Sequence, residues 1–74
     1  MNINVTIEQA DNKVSVIADS NRIIADVINE LNTQGYLSRE ASALARSYVQ
    51  ERVISTDNTF QEEEIFSGDK IVEI

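Results

Sequence analysis

Two short alternating segments followed by one amphipathic stripe constrain this chain more than any other feature. Residues 2–7, NINVTI, place Ile3, Val5 and Ile7 on one side, the period of a half-buried strand. Residues 13–18, KVSVIA, repeat the pattern with Val14, Val16 and Ala18, and the polar Glu8–Asn12 stretch between them carries the Asp and Asn that favour a turn. Together they predict an antiparallel hairpin. From Arg22 to Asn32 the period changes, because Ile24, Val27, Ile28 and Leu31 fall at i, i+3, i+4 and i+7 on one helical face. Asp19, Ser20 and Asn21 suit an N-cap, and Gly35 suits the left-handed position after a helix. A helix over about 22–33 then lays its stripe on the hairpin.

The segment after Gly35 supports two assignments. Ser38 followed by strong helix formers, with Ala41, Leu44, Ala45 and Tyr48 at helical spacing, favours a second helix. Tyr48, Val49, Val53 and Ile54 around the polar Gln50-Glu51 pair favour a short hairpin. The resulting expectation is a helical turn over 39–44 and strand character over 46–54. Further on, Thr56-Asp57-Asn58 reads as a turn, Gln61–Glu64 as one capped helical turn, and Ser67-Gly68-Asp69 as a tight turn before a last strand over 70–74. Strict alternation from Ile71 would point Glu73 inward, and a frayed end in water is the expected resolution.

Composition excludes most catalytic chemistry. The 74 residues contain no cysteine and no histidine, which removes thiolate nucleophiles, imidazole bases, iron–sulfur ligands and the usual zinc sites. A chain of this size buries only about 60% of its unfolded surface, so one domain over 1–74 is expected, with little room for a cleft. The Glu62-Glu63-Glu64 run reads as a solvated acidic face, since consecutive carboxylates on a turn diverge rather than converge on a cation. No enzyme, metal or cofactor is expected. Thirteen acidic residues against six basic ones give a net charge of −7, which repels phosphate backbones and argues against nucleic acid. No apolar run reaches the roughly 18 residues of a membrane span, and the first residues lack the pattern of a signal peptide, so a cytoplasmic protein without membrane insertion is expected.

The order hairpin, helix, short strands, turn, final strand is that of an α+β, β-grasp fold, a mixed four- to five-stranded sheet around one main helix. The closing stretch TFQEEEIFSGDKIVEI resembles the end of ubiquitin-like domains, with Phe60, Ile65 and Ile71 as core anchors. The helix RIIADVINEL and the Ile65-x-x-Gly68-Asp69 turn are similar to those of the small YukD/EsaB-type proteins of bacterial type VII secretion. That resemblance implies a non-enzymatic accessory protein that docks on a larger assembly. Protein modifiers of this class need a flexible Gly-Gly terminus, whereas here strand residues Lys70–Ile74 run to the last position, which disfavours conjugation unless a longer precursor exists.

What such a fold offers is an exposed sheet face. By pattern Ile7, Tyr48, Val72 and Ile74 fall there, and Tyr48 is read as an interface anchor, with half-buried packing as the alternative. Arg46 and Arg52 would flank the face as a basic strip for an acidic protein partner, or else be scattered solvated charges. The chain itself is expected to be a monomer or weak homodimer. A second functional class fits the same composition: a small acidic regulatory subunit or inhibitor that binds and modulates an enzyme.

Overall fold

The computed structural model describes residues 1–74 and contains five strands and one helix. Strands β1 (Asn2–Glu8) and β2 (Lys13–Asp19) form the expected hairpin, with Val5 opposite Val16 and Glu8 opposite Lys13. The helix α1 (Ile24–Thr33) follows, then β3 (Leu44–Ser47), β4 (Arg52–Ser55) and β5 (Lys70–Glu73). Across the sheet the order is β2-β1-β5-β3-β4, so the last strand lies in the middle, parallel to β1 and antiparallel to β3. This mixed sheet with one helix is the ubiquitin-like β-grasp fold. No helix is long and apolar enough to cross a membrane.

The predicted stripe is buried as expected: Ile24, Val27, Ile28 and Leu31 face the core together with Ile3, Val5 and Ile7 of β1. Phe60, Ile65 and Ile71, the anchors of the closing segment, are also fully covered. The helix start differs from expectation. Asp19 accepts from the Asn21 amide at 2.9 Å in a preceding turn, and the N-cap is Ile23, whose side chain caps nothing. The orphan amides of Ile24 and Ala25 are satisfied by the carbonyls of Asn58 and Thr56, at 3.0 and 2.8 Å, so the 55–60 segment does the work of a capping side chain. At the other end Gly35 has φ +86°, and the Tyr36 and Gly35 amides donate to the Leu31 and Asn32 carbonyls at 2.9 and 3.0 Å. This is a Schellman closure, which requires the left-handed residue that Gly35 supplies.

The expected helical turn over 39–44 is absent. Backbone amides over 38–42 donate to side chains from elsewhere: Ser38 and Arg39 to Gln9 Oε1 at 3.1 and 3.2 Å, Ala41 to Asn29 Oδ1 at 2.7 Å, and Ser42 to Glu73 Oε1 at 2.8 Å. Long-range acceptors replace the i−4 carbonyls a helix would use. The strand region beyond it resolves into β3 and β4, joined by Tyr48–Glu51. Glu73 is likewise not frayed in water. It is buried, follows the strict alternation inward, and also accepts from Gln9 Nε2 at 2.6 Å.

Two substitutions check this packing. Val27→Ala and Leu31→Ala each remove buried side-chain volume from a small core, and each should lower unfolding free energy by about 2 to 4 kcal/mol in denaturant titrations.

Candidate protein-interaction face

One side of the sheet packs on α1 and the other meets solvent. On the solvent side the register brings residues together that are far apart in sequence: Arg46 of β3 pairs with Val72 of β5 on one flank and Val53 of β4 on the other. Leu44 lies two residues before Arg46 on the same face, and the Ile74 amide donates to its carbonyl at 3.4 Å. Leu44, Tyr48, Val53 and Ile74 are all exposed, Tyr48 at 65%, and Val72 is half-buried among them. An apolar frame therefore surrounds one guanidinium.

The Tyr48 side chain does not serve the core. The Lys70 ammonium sits 4.7 Å from its ring centre and lies 3.8 Å from Glu8, which holds the ring at the edge of the face. Arg46 reaches only a backbone carbonyl, that of Glu51, at 3.3 Å. An open depression of about 410 Å³ is lined by Arg46, Tyr48, Val49, Glu51 and Val72. A smaller one of about 280 Å³ lies round the corner and shares Val49 with it. Neither is enclosed by a set of convergent polar groups of the kind that orients a small substrate.

The β3–β4 turn that presents Tyr48 and Val49 is fixed from below. Asp69, buried, accepts from the Ser47 hydroxyl at 2.6 Å and from the Val49 amide at 3.0 Å. Gln50 donates to the Glu64 carbonyl at 2.8 Å, and Glu51 completes the turn at φ +53°, a left-handed conformation that costs a non-glycine residue of order 1 kcal/mol.

Two residues expected on this face are elsewhere. Ile7 is completely buried, because the alternation that puts Ile3 and Val5 in the core puts Ile7 there too. Arg52 shares the parity of Ile54, which is buried, and turns away from the face to Glu63, with its guanidinium 3.1 Å from the carboxylate and 2.6 Å from the Glu63 carbonyl. Arg46, Tyr48 and Val72 lie together, lining one depression. Leu44 and Val53 join them without having been singled out by sequence, although Leu44 stands two residues before Arg46, the spacing of one strand face.

The acidic run also differs from a solvated face. Glu62 and Glu64 are exposed, and the Thr59 amide donates to Glu62 Oε1 at 2.9 Å while the Glu62 amide donates to Thr59 Oγ1 at 3.0 Å, a reciprocal cap. Glu63 is buried and accepts from the Asn58 amide group at 2.7 Å as well as from Arg52. Burial pushes its carboxyl up, but the bonds from Asn58 and Arg52 outweigh that and hold it below the ordinary value of 4.5.

No protein-family model matches the chain, and no curated protein matches its sequence. Solved structures do. A designed protein based on ubiquitin superposes with a TM-score of 0.72 at 16% identity, covering 96% of this chain and 84% of that one. The ubiquitin-like domain of Dsk2 from Plasmodium falciparum matches over 100% of both chains, with a TM-score of 0.64 and 12% identity. The EccD5 ubiquitin-like domain from Mycobacterium xenopi matches at 22% identity with a TM-score of 0.56, covering 100% of this chain and 93% of that chain. These likenesses show the ubiquitin-like β-grasp fold.

The depressed Glu63 carboxyl gives a pH test. A folded-state value below the unfolded one contributes stability above about 4.5, and that contribution is lost as pH falls through the folded value. Thermal melts between pH 7 and pH 3 should therefore show a steeper acid loss for the wild type than for Glu63→Gln. At pH 7, Glu63→Ala should cost about 1 to 3 kcal/mol by removing the carboxylate that accepts from Asn58 and from one Arg52 nitrogen.

Proposed function

We propose that this protein is a non-enzymatic ubiquitin-like interaction module that docks on a larger bacterial assembly through the Leu44–Arg46–Tyr48–Val72 face. The observation that carries this is the exposure of Leu44, Tyr48, Val53 and Ile74 on one side of the sheet around a cation that forms no ion pair. Apolar side chains clustered on a face that the core does not need are the usual mark of a contact surface, and Tyr and Arg are the residues that most often dominate such contacts. The unpaired Arg46 suits a carboxylate on the partner, which it can bind bidentately.

A type VII secretion system is the assembly favoured by the likeness of the helix and the closing turn to the YukD/EsaB-type proteins. The inclusion of a mycobacterial ubiquitin-like domain among the structural neighbours is consistent with a bacterial setting. In this reading the protein works in the cytoplasm and carries no catalytic step.

The test is capture from a bacterial host with the protein immobilised, comparing the wild type with Tyr48→Ala, Arg46→Glu and a control, Tyr36→Ala, at an exposed site beyond the helix. Tyr48→Ala and Arg46→Glu should each lose the captured protein while Tyr36→Ala keeps it. Melting should place the stability change of Tyr48→Ala within about 1 kcal/mol, the scale of one exposed cation–π contact. A steep loss of stability with binding intact would move Tyr48 into a packing role and defeat the proposal. Capture of a secretion component supports the narrower reading, and capture of an enzyme whose activity falls on binding replaces it with the regulatory one.

A further inference from the structure

The geometry points to a second contact surface, separate from the partner face: the outer edge of β2, where a second copy of this chain pairs antiparallel to form a two-fold dimer. β2 stands at the end of the sheet order and is seven residues long, against four for β4 at the other end. Soluble proteins blunt such edges with proline, bulges or inward charges. The chain has no proline, the β1–β2 register runs without interruption, and the inward positions of β2 are Val14, Val16 and Ala18. The only charges of β2, Lys13 and Asp19, stand at the two ends of the strand, and the stretch between them carries none of these devices.

The register says which groups are free. The Gln9 amide donates to the Asn12 carbonyl, and the Ser20 amide to the Met1 carbonyl, both at 2.8 Å. Antiparallel bonding alternates, so Val14, Val16 and Ala18 turn their backbone groups to β1, while Lys13, Ser15 and Ile17 turn theirs outward. A second β2 fits these groups when Val16 meets its own copy on the two-fold axis. Ser15 and Ile17 then exchange amide–carbonyl bonds with Ile17 and Ser15 of that copy.

The same register is self-complementary in charge. Lys13 falls opposite Asp19 of the second copy, twice over by symmetry. Lys13 has no ion-pair partner within its own chain, and Asp19 uses Oδ1 for the Asn21 amide and the N-terminal ammonium, leaving Oδ2 available. Between these ends the strand carries Ile17, 68% exposed, and its two copies meet diagonally across the axis, where long side chains reach each other. On the opposite side the half-buried Val16 meets its copy directly.

Edge pairing of this length covers little area, so the dimer is a weak, concentration-dependent one. Its axis runs perpendicular to the sheet, which keeps both helices on one side and both partner faces on the other. With strands spaced at about 4.8 Å, the two β3 strands stand about 34 Å apart and offer a bivalent surface to one assembly.

The experiment is sedimentation equilibrium from about 20 μM to about 1 mM, a range that brackets weak self-association. It is paired with residue-resolved amide exchange at both ends of that range. A monomer–dimer equilibrium is expected, with the Ser15 and Ile17 amides slowing at high concentration and those of β4 unchanged. Lys13→Asp sets like charges opposite one another and should weaken dimerisation by about ten-fold or more. An equimolar mixture of K13D and D19K chains should recover association, because each chain supplies the charge that the other lacks. The exchange measurement uses only the wild type, so a poorly folding variant does not remove the test. A single monomeric species up to about 1 mM would leave the edge to a foreign strand and overturn the proposal, as would a dimer protected at β4 or Tyr48, or one indifferent to K13D. Tyr48→Ala leaves dimerisation intact, which separates this surface from the partner face.

Discussion

The sheet depends on β5. It is paired on both sides, to β1 in parallel and to β3 antiparallel, and without it the β1–β2 and β3–β4 hairpins would be two separate ribbons with nothing joining their edges. A two-stranded ribbon is marginal in water, so the strand that joins the two creates a surface broad enough to cover α1. The ends of β5 carry this further. Asp69, at its start, gathers the Ser47 hydroxyl and the Val49 amide, and Glu73, at its end, gathers the Gln9 side chain and the Ser42 amide. Each buried carboxylate thus ties a loop to the sheet, Asp69 the β3–β4 turn and Glu73 the segment before β3. One of those loops is the turn that presents Tyr48.

This arrangement also explains which parts of the fold are legible in the sequence. The hairpin and helix are local: their apolar residues recur at two or at three and four, and Gly35 marks the helix end through a conformation that only the backbone there demands. Residues 38–44 are not local. Their own propensities favour helix, yet the donors of Ser38, Arg39, Ala41 and Ser42 are met by Gln9, Asn29 and Glu73, which no window on the sequence contains. Propensities worth a few tenths of a kcal/mol per residue yield to buried hydrogen bonds worth about 1 kcal/mol each. Glu73 is opaque in the sequence for the matching reason, since an inward carboxylate is stabilised by two donors, Gln9 and Ser42, that lie far from it in the chain. At the site, Tyr48, Arg46 and Val72 are legible from alternation, whereas the departure of Arg52 is set by Glu63, eleven residues away around a turn.

The acidic balance makes the few cations informative. Arg22 pairs with Glu30 at 2.9 Å, Arg52 with Glu63 and Lys70 with Glu8, so half of the six basic residues are occupied within the chain. Lys13, Arg39 and Arg46 form no ion pair. In a protein with thirteen carboxylates, a guanidinium that stays unpaired on a strand is held apart by the geometry of the sheet: the neighbours of Arg46 across β4 and β5 are Val53 and Val72, not acids.

That placement limits what a partner can be. Out to the Debye length of about 8 Å, an approaching partner feels the net charge of −7, which repels a strongly acidic protein before contact. At contact it meets Arg46 and Lys70 set among Leu44, Tyr48, Val53 and Ile74, where a carboxylate is favoured. A partner that satisfies both ranges carries an acidic residue inside an apolar patch on a surface that is otherwise neutral or basic. A highly acidic surface would fail the first condition, and a basic apolar patch would fail the second. In the proposed docking the face would then select by the contrast between a local charge and the field around it, and salt, which screens the long range more than the contact, would shift the balance toward the local interaction.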